Sequence, residues 1–337
     1  MSVNSASFPP RGDTVNPELV SVVVCTLNRA EMLDGALTSL REQQNLGKIK
    51  FEILVVDDGS IDSTERVVSA QQNASTVSIR YLRQDHAGVA AARNRGVIEA
   101  VGDWIAFFDD DQIAKSDWLI RLMEKAVEKN VDCVGGPYVL RLPADCELGL
   151  DPTIRRLLGE EPIMMQEQSS LDPGVGSQRR EAIPSTGNVL IKRTLFDQVG
   201  LFSESLAYGE DREFFRRAMK AGARFATAPY AVIYHIVPSS RLTQEYLLHI
   251  AAIGGQSQAE IDEYKIVLGR AILRFGHLMV VAVPRLGYAF ALRNRSGILG
   301  RKCSIRWSLE YIAVALTRWK GQRVAAPASP ADLSTGT

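Results

Sequence analysis

The stretch Trp104-Ile-Ala-Phe-Phe-Asp-Asp-Asp-Gln-Ile113 decides how the rest of the chain is read. Five apolar residues, enough for one buried strand and too few for a helix, run directly into three carboxylates. Toward the N-terminus, residues 20–25 and 51–56 are apolar runs of the same kind, and residues 77–82 form a third strand pattern. Residues 29–43, 61–72 and 89–101 carry helical patterns, the first with Met32, Leu33, Ala36, Leu37 and Leu40 on one face. Strands alternating with helices predict an α/β fold around a mostly parallel sheet. Ligands of such sheets sit beyond the carboxyl ends of the strands. Thr26, Asp57, Asp58 and Asp109 to Asp111 all fall there, so the polar chemistry gathers at one end of the sheet.

Toward the C-terminus the pattern predicts a helix over 118–129 and a strand over 133–139. From 140 to 182 Pro, Gly, Ser and Gln dominate, and this stretch is read as a mobile acceptor-side loop. Order returns with a strand at 187–191, a helix at 193–199, and a helix opened by Gly209-Glu210-Asp211. That last helix buries Phe214, Phe215, Ala218 and Met219 and stops at Gly222, a C′ glycine. A strand at 231–234 precedes His235.

The 337 residues can bury a full core, which excludes general disorder. Cys25, Cys133, Cys146 and Cys303 are scattered without metal-ligand spacing, so neither a zinc site nor a disulfide framework is indicated. The formal charge of zero hides an asymmetry. Residues 264–323 hold 12 Lys and Arg against the single acid Glu310, a net of +11, whereas residues 1–263 hold 27 basic and 37 acidic residues, a net of −10.

Three carboxylates at the end of a buried strand repel one another unless a cation neutralises them. Oxygen ligands point to Mn²⁺ or Mg²⁺, and the competing reading is a solvated acidic turn. Asp57-Asp58-Gly59-Ser60 can take hydrogen bonds from a base or ribose, or simply cap the following helix. Neither GxGxxG nor GxxxxGK[ST] occurs, so a phosphate ligand has to be held otherwise. Glu210-Asp211 is favoured at a helix N-terminus on electrostatic grounds alone, yet an acid placed there can also serve as general base. His235 is either a third metal ligand or a core histidine.

Six segments in register, SVVVCTLNR ending at Arg29, VVDDGS at Ser60, HAGVAAARNRG at Gly96, WIAFFDDDQI at Ile113, TGNVLIKR at Arg193 and GEDREFFRRAMKAG at Gly222, resemble glycosyltransferase family 2. The resemblance spans about two thirds of the chain and implies a Rossmann-like GT-A nucleotide-diphospho-sugar transferase fold with an inverting mechanism. It assigns Thr26, Asp57 and Asp58 to the nucleotide, with Asp58 facing the base, and puts Arg93 near the base and diphosphate. Asp109 and Asp111 become the outer members of a DxD motif and Asp110 lies nearest the ribose. Asp111 is the main ligand of Mn²⁺ or Mg²⁺, with His235 beside it. Asp211 matches the general base, and Gly187, Asn188 and Glu210 fall on the sugar and acceptor side. Where the family often has a further aspartate after DxD, this chain has Gln112.

The expected organisation is a disordered N-terminus (1–17), a catalytic domain (18–255, its nucleotide-binding half 18–113 and acceptor-side half 114–255), a basic, apolar helical extension (256–323) and a disordered tail (324–337). The donor is a nucleotide sugar, with UDP favoured, and the acceptor a carbohydrate or lipid-linked hydroxyl in polysaccharide or glycolipid assembly. Residues 266–292 are apolar but interrupted by Arg270, Arg274, His277, Pro284 and Arg285, which disfavours a membrane span. Helices lying on an anionic bilayer suit them better, and a soluble extension packed on the catalytic domain is the competing reading. Residues 1–17 lack an apolar signal region, so a cytoplasmic setting at the inner face of the membrane is expected. Nucleic acid is excluded because no binding module accompanies the positive charge. A haloacid dehalogenase-type phosphatase is rejected because its DxD opens the domain. A non-catalytic sensor or scaffold stays open.

Overall fold

The computed structural model describes residues 19–44, 46–47, 49–144, 146, 150–160, 184–206, 208–262, 264–292 and 294–321. The expected disordered ends, 1–17 and 324–337, and residues 145, 147–149 and 161–182 of the expected loop lie outside these.

Four parallel strands form the centre: β1 (Leu19–Thr26), β2 (Lys50–Asp57), β3 (Ser78–Arg83) and β4 (Trp104–Asp109), ordered β3-β2-β1-β4. Alternate residues face opposite sides, as strand geometry dictates. Val20, Val22, Val24, Ala106 and Phe108 pack toward α1 (Ala30–Arg41), α2 (Thr64–Asn73) and α4 (Trp118–Lys129). Val23, Leu54, Ile105 and Phe107 pack toward α3 (Val89–Glu99), α6 (Arg193–Val199) and α7 (Glu210–Lys220). Each fully buried aliphatic or aromatic side chain contributes about 1.5–3 kcal/mol, so this double-sided core fixes the strand ends. The structure corrects one core assignment: Met219 is exposed on α7, while Phe214, Phe215 and Ala218 are buried as expected.

Beyond β4 the sheet continues through β8 (Asn188–Lys192) to β6 (Cys133–Gly135) and β9 (Phe225–Thr227), with β8 antiparallel to both β4 and β6. The single strand expected at 133–139 is divided, because Pro137 has no N–H to donate and Gly136 lies against another chain segment. A Cβ at Gly136 would stand 2.3 Å from the Ala231 carbonyl oxygen. The chain then enters a second sheet as β7 (Tyr138–Arg141), beside β10 (Ile233–Ile236) and β5 (Gln112–Ala114), in the order β5-β10-β7. Register in this small sheet pairs His235 with Gln112, next to the aspartate triplet.

Part of the expected loop is also ordered. Helix α5 (Pro152–Leu157), capped by Asp151, buries Ile154 against α8 (Gln244–Ile261) and α11 (Arg295–Trp319). Between α8 and α11 run α9 (Tyr264–His277), a π-helical turn (Leu278–Ala282) and α10 (Val283–Ala291). Helix α8 crosses the expected 255/256 boundary and meets α11 so closely that a Cβ at Gly255 would lie 2.1 Å from the Trp307 carbonyl oxygen.

Asp262 ties the extension to α7. It is buried and accepts from Tyr311 (2.6 Å), Arg270 (2.7 Å), Gln258 (2.9 Å) and Arg216 of α7 (3.4 Å). Burial by itself raises its carboxyl pKa, and the hydrogen bonds from Tyr311, Arg270 and Gln258 outweigh that and lower it. The carboxylate's contribution is therefore fully present above the unfolded value of about 4 and is lost as pH falls through the lower folded value. We expect Asp262→Asn to destabilise the protein by about 1–3 kcal/mol at neutral pH, because a buried carboxylate that accepts from Tyr311, Arg270 and Gln258 is replaced by a neutral amide. Thermal unfolding between pH 7 and 3 checks this: the gap between wild type and variant narrows toward low pH.

Candidate active site

The end of β2 is held by its own carboxylates. Asp57 accepts from the Ser60 N–H at 2.8 Å and from the Tyr81 hydroxyl, whose pKa burial and the adjacent carboxylate push up. Both oxygens of Asp58 are filled twice: Oδ1 by Gln84 (2.7 Å) and the Ala87 N–H (2.9 Å), Oδ2 by His86 (2.8 Å) and the Gly88 N–H (2.8 Å). Asp58, expected to face a base, thus anchors the 84–88 loop. Gly59 adopts φ +92° with its Cα against the same loop, a conformation that favours glycine.

The triplet at the end of β4 is surrounded by cations. Asp110 is buried and accepts from Thr26 (2.8 Å) and Arg29 (2.9 Å). Burial pushes its pKa up to about 6; the Arg29 charge opposes this, and the Asp111 charge adds to it. Asp111 Oδ2 lies 2.9 Å from Arg241, 3.3 Å from Arg29 and 3.5 Å from His235 Nε2. Burial alone raises Asp111, yet His235, Arg241 and Arg29 together hold it well below the usual carboxylate range. His235 Nδ1 lies 3.1 Å from the Leu158 carbonyl oxygen, and donation of its proton there turns Nε2 toward Asp111. The small sheet sets this placement, since the Ile236 N–H donates to the Asp111 carbonyl at 2.9 Å.

Asp109 faces the other side. Its Oδ2 accepts from Gln112 at 3.2 Å, and the Asp109 N–H donates to Gln112 Oε1 at 3.1 Å, so Gln112 supports the turn. Arg93 lies 3.7 Å from Asp109 and forms a buried ion pair with Glu210 at the start of α7. Arg93, expected near the base and diphosphate, thus reaches the end of β4 beside Asp109, and it supplies the cation that the burial of Glu210 requires. Burial raises the pKa of both Asp109 and Glu210, with Arg93 opposing the shift in each. Asp211, next to Glu210, is half-buried and accepts from the Arg212 N–H at 2.7 Å. Gly187 presses on the triplet, where a Cβ would stand 2.3 Å from Asp109 Oδ2.

Asn188, expected on the sugar side, is instead a packing residue. Fully buried, it accepts from the Trp118 indole (2.7 Å) and donates to the Pro137 and Ala231 carbonyls (both 3.0 Å), joining the two sheets. Sequence reading missed the roles of Arg29 and Arg241. The available signal was electrostatic: three adjacent carboxylates at the end of a buried strand require cations, and these two arginines follow strands that end near the triplet.

Among the described residues no three His, Cys, Asp or Glu side chains are grouped so as to hold a metal ion. The donor set present is an oxygen and nitrogen pair, Asp111 and His235, suited to a hard or borderline divalent ion with positions left open.

Comparison with known proteins gives the lineage. The family model described as "Glycosyl transferase family 2" matches residues 21–173. The succinoglycan biosynthesis protein ExoO of Rhizobium meliloti (strain 1021) is 30% identical, over 76% of this chain and 71% of that protein. ExoM of the same organism, also a succinoglycan biosynthesis protein, is 26% identical over 72% of this chain and 74% of its own length. The fold is shared with the mannosyltransferase PcManGT of Pyrobaculum calidifontis, solved with GDP-Man and Mn²⁺, at a TM-score of 0.53 and 19% identity, over 93% of this chain and 77% of that one. The mostly parallel GT-A sheet, the carboxylates at its strand ends and these relatives lead to one conclusion: the chain belongs to glycosyl transferase family 2.

Proposed function

We propose that this glycosyltransferase moves a sugar from a nucleoside-diphosphate sugar, a uridine nucleotide first among candidates, to an acceptor hydroxyl in polysaccharide or glycolipid assembly, with inversion. The observation that carries this reading is the Asp109–Asp111 triplet, with Asp110 and Asp111 buried and Asp109 half-buried, joined by the Arg93–Glu210 pair to the start of α7, where Asp211 is half-buried. Asp111 and His235, with Asp109 on the outer side, would hold Mn²⁺ or Mg²⁺. Such an ion, when bound, neutralises charge on a leaving diphosphate.

This chain's own residues do the rest. Asp211 accepts the proton of the acceptor hydroxyl as its oxygen forms the new bond to the anomeric carbon. The bond from that carbon to the diphosphate oxygen breaks, and the electron pair leaves with the nucleoside diphosphate. One displacement needs no enzyme nucleophile, so the anomeric configuration inverts. Arg93 pairs with Glu210 and so holds the start of α7 in place. Thr26, Asp57 and Asp110 border the nucleotide pocket.

The extension supports an acceptor carried at a membrane. Ile272, Leu273 (74% exposed), Phe275, Val280 (76% exposed) and Phe290 leave an apolar face uncovered on α9, the π-helical turn and α10. The run 266–291 is long and apolar enough to cross a bilayer by length and composition. It packs along α11, however, and α11 carries Arg301, Lys302, Arg306, Glu310 and Arg318. Spanning would draw those charges toward hydrocarbon, whereas lying in an anionic interface satisfies both faces.

Calorimetry with UDP, GDP, CDP and dTDP, each with Mn²⁺ and with EDTA, tests the donor site. We expect one nucleotide to bind in a metal-dependent manner and Asp111→Ala to abolish it. Asp211→Asn should keep nucleotide binding and lower transfer by about 100-fold or more. Absence of metal-dependent binding to any nucleotide would contradict the proposal. For the membrane face, phosphatidylglycerol vesicles should co-sediment the full chain and phosphatidylcholine vesicles should not. Leu273→Glu combined with Val280→Glu should weaken that association about tenfold or more, and association indifferent to both lipid charge and these changes would refute it.

A further inference from the structure

One nitrogen of Arg241 stands where a bound cation would have to stand. It lies 2.9 Å from Asp111 Oδ2 and 3.2 Å from His235 Nε2, the two side chains proposed above as ion ligands. The Arg241 side chain is mostly buried, with 16% exposure, and Asp111 retains 7%. Arg29 adds a second guanidinium to Asp111 at 3.3 Å, but its first partner is Asp110 at 2.9 Å. Arg241 bridges the pair. It is carried on a short 3-10 turn (Ser239–Leu242) that follows Pro238, off the end of β10, so its long side chain is not fixed by a strand or an α-helix at that point.

We propose that Arg241 is the resident counter-cation of the donor site and competes with the divalent ion for Asp111 and His235. The inference rests on the reading of Asp111 and His235 as ion ligands. Two cations cannot share that space, because like charges in contact in a mostly buried site repel strongly. Entry of the ion therefore expels the guanidinium. A diphosphate arriving with the ion offers the expelled guanidinium a new anionic partner, which an ion arriving alone does not. Ion and nucleotide consequently bind with positive coupling, and by linkage each raises the affinity of the other by the same factor. In the resting protein the arrangement keeps the acidic triplet neutralised and disfavours occupation by an ion without a donor.

The test is Mn²⁺ binding followed by electron paramagnetic resonance on the full chain, with and without UDP, in wild type, Arg241→Met and Arg241→Lys. Thermal unfolding of each variant verifies that it is folded. The expected result is that Arg241→Met binds Mn²⁺ alone about tenfold or more tightly than wild type, because the competing charge is gone. UDP should then enhance Mn²⁺ binding by a smaller factor in the variant than in wild type, and Arg241→Lys, which keeps the charge, should stay near wild type. Equal affinity for Mn²⁺ alone in wild type and Arg241→Met, with UDP-coupled binding intact in both, would overturn the counter-cation role while leaving the ion site standing. Absence of Mn²⁺ binding in every variant, with or without UDP, would overturn both.

Discussion

Everything in the site depends on three adjacent carboxylates being carried to the end of a buried strand. Phe107 and Phe108 lock β4 between the two halves of the core, so Asp110 and Asp111 are held buried with Asp109 half-buried beside them. Unit charges about 4 Å apart interact by about 4 kcal/mol at an effective dielectric of about 20, which is too much to leave unbalanced in a protein of ordinary stability. The balance comes from Arg29, Arg93 and Arg241, one for each direction in which the triplet faces: β1, α7 and the small sheet. In the proposed reaction the triplet and the start of α7 carry the donor and the base, so the same arginines would serve charge balance and catalytic geometry.

The second constraint is mechanical. Helix α7 begins with Glu210 and Asp211 and continues to Arg216, whose guanidinium reaches Asp262 at the end of α8. Asp262 also holds α9 through Arg270 and α11 through Tyr311. At the other end of this contact, Ser257 of α8 donates to the Tyr208 carbonyl at 2.9 Å, just before Gly209. The basic helices are thus packed against the element that carries the proposed base. A protein that works on a membrane-borne acceptor gains from such a joint, since the surface that meets lipid and the helix that meets the acceptor hydroxyl are held in one arrangement.

Much of this was legible in the sequence because short-range chemistry wrote it there. Apolar runs of strand length ending in Thr26, Asp57 and Asp109 fixed β1, β2 and β4, and Gly222 marked the end of α7 with φ +86°. What was not legible depended on long-range pairing. Nothing local says that Asp58 spends its four hydrogen bonds on the 84–88 loop, or that Asn188 is sealed between two sheets. The division of 133–139 into β6 and β7 is imposed by the approach of Ala231, nearly a hundred residues later. His235 stood as ligand or core residue on sequence grounds, and its register opposite Gln112 brings it to Asp111. Arg241 was invisible for the same reason: its carboxylate partner Asp111 lies 130 positions upstream and across a sheet that periodicity does not reveal.

The account's central claim is that the triplet, with His235, forms a cation site for a sugar nucleotide. Diffraction at the manganese absorption edge from crystals grown with Mn²⁺ and UDP tests it most directly. The predicted result is one anomalous peak bonded to Asp111 and His235, with the diphosphate beside it and Arg241 moved off Asp111. A nucleotide bound with no ion at Asp111, or an ion bound elsewhere with Arg241 still in place, would contradict it.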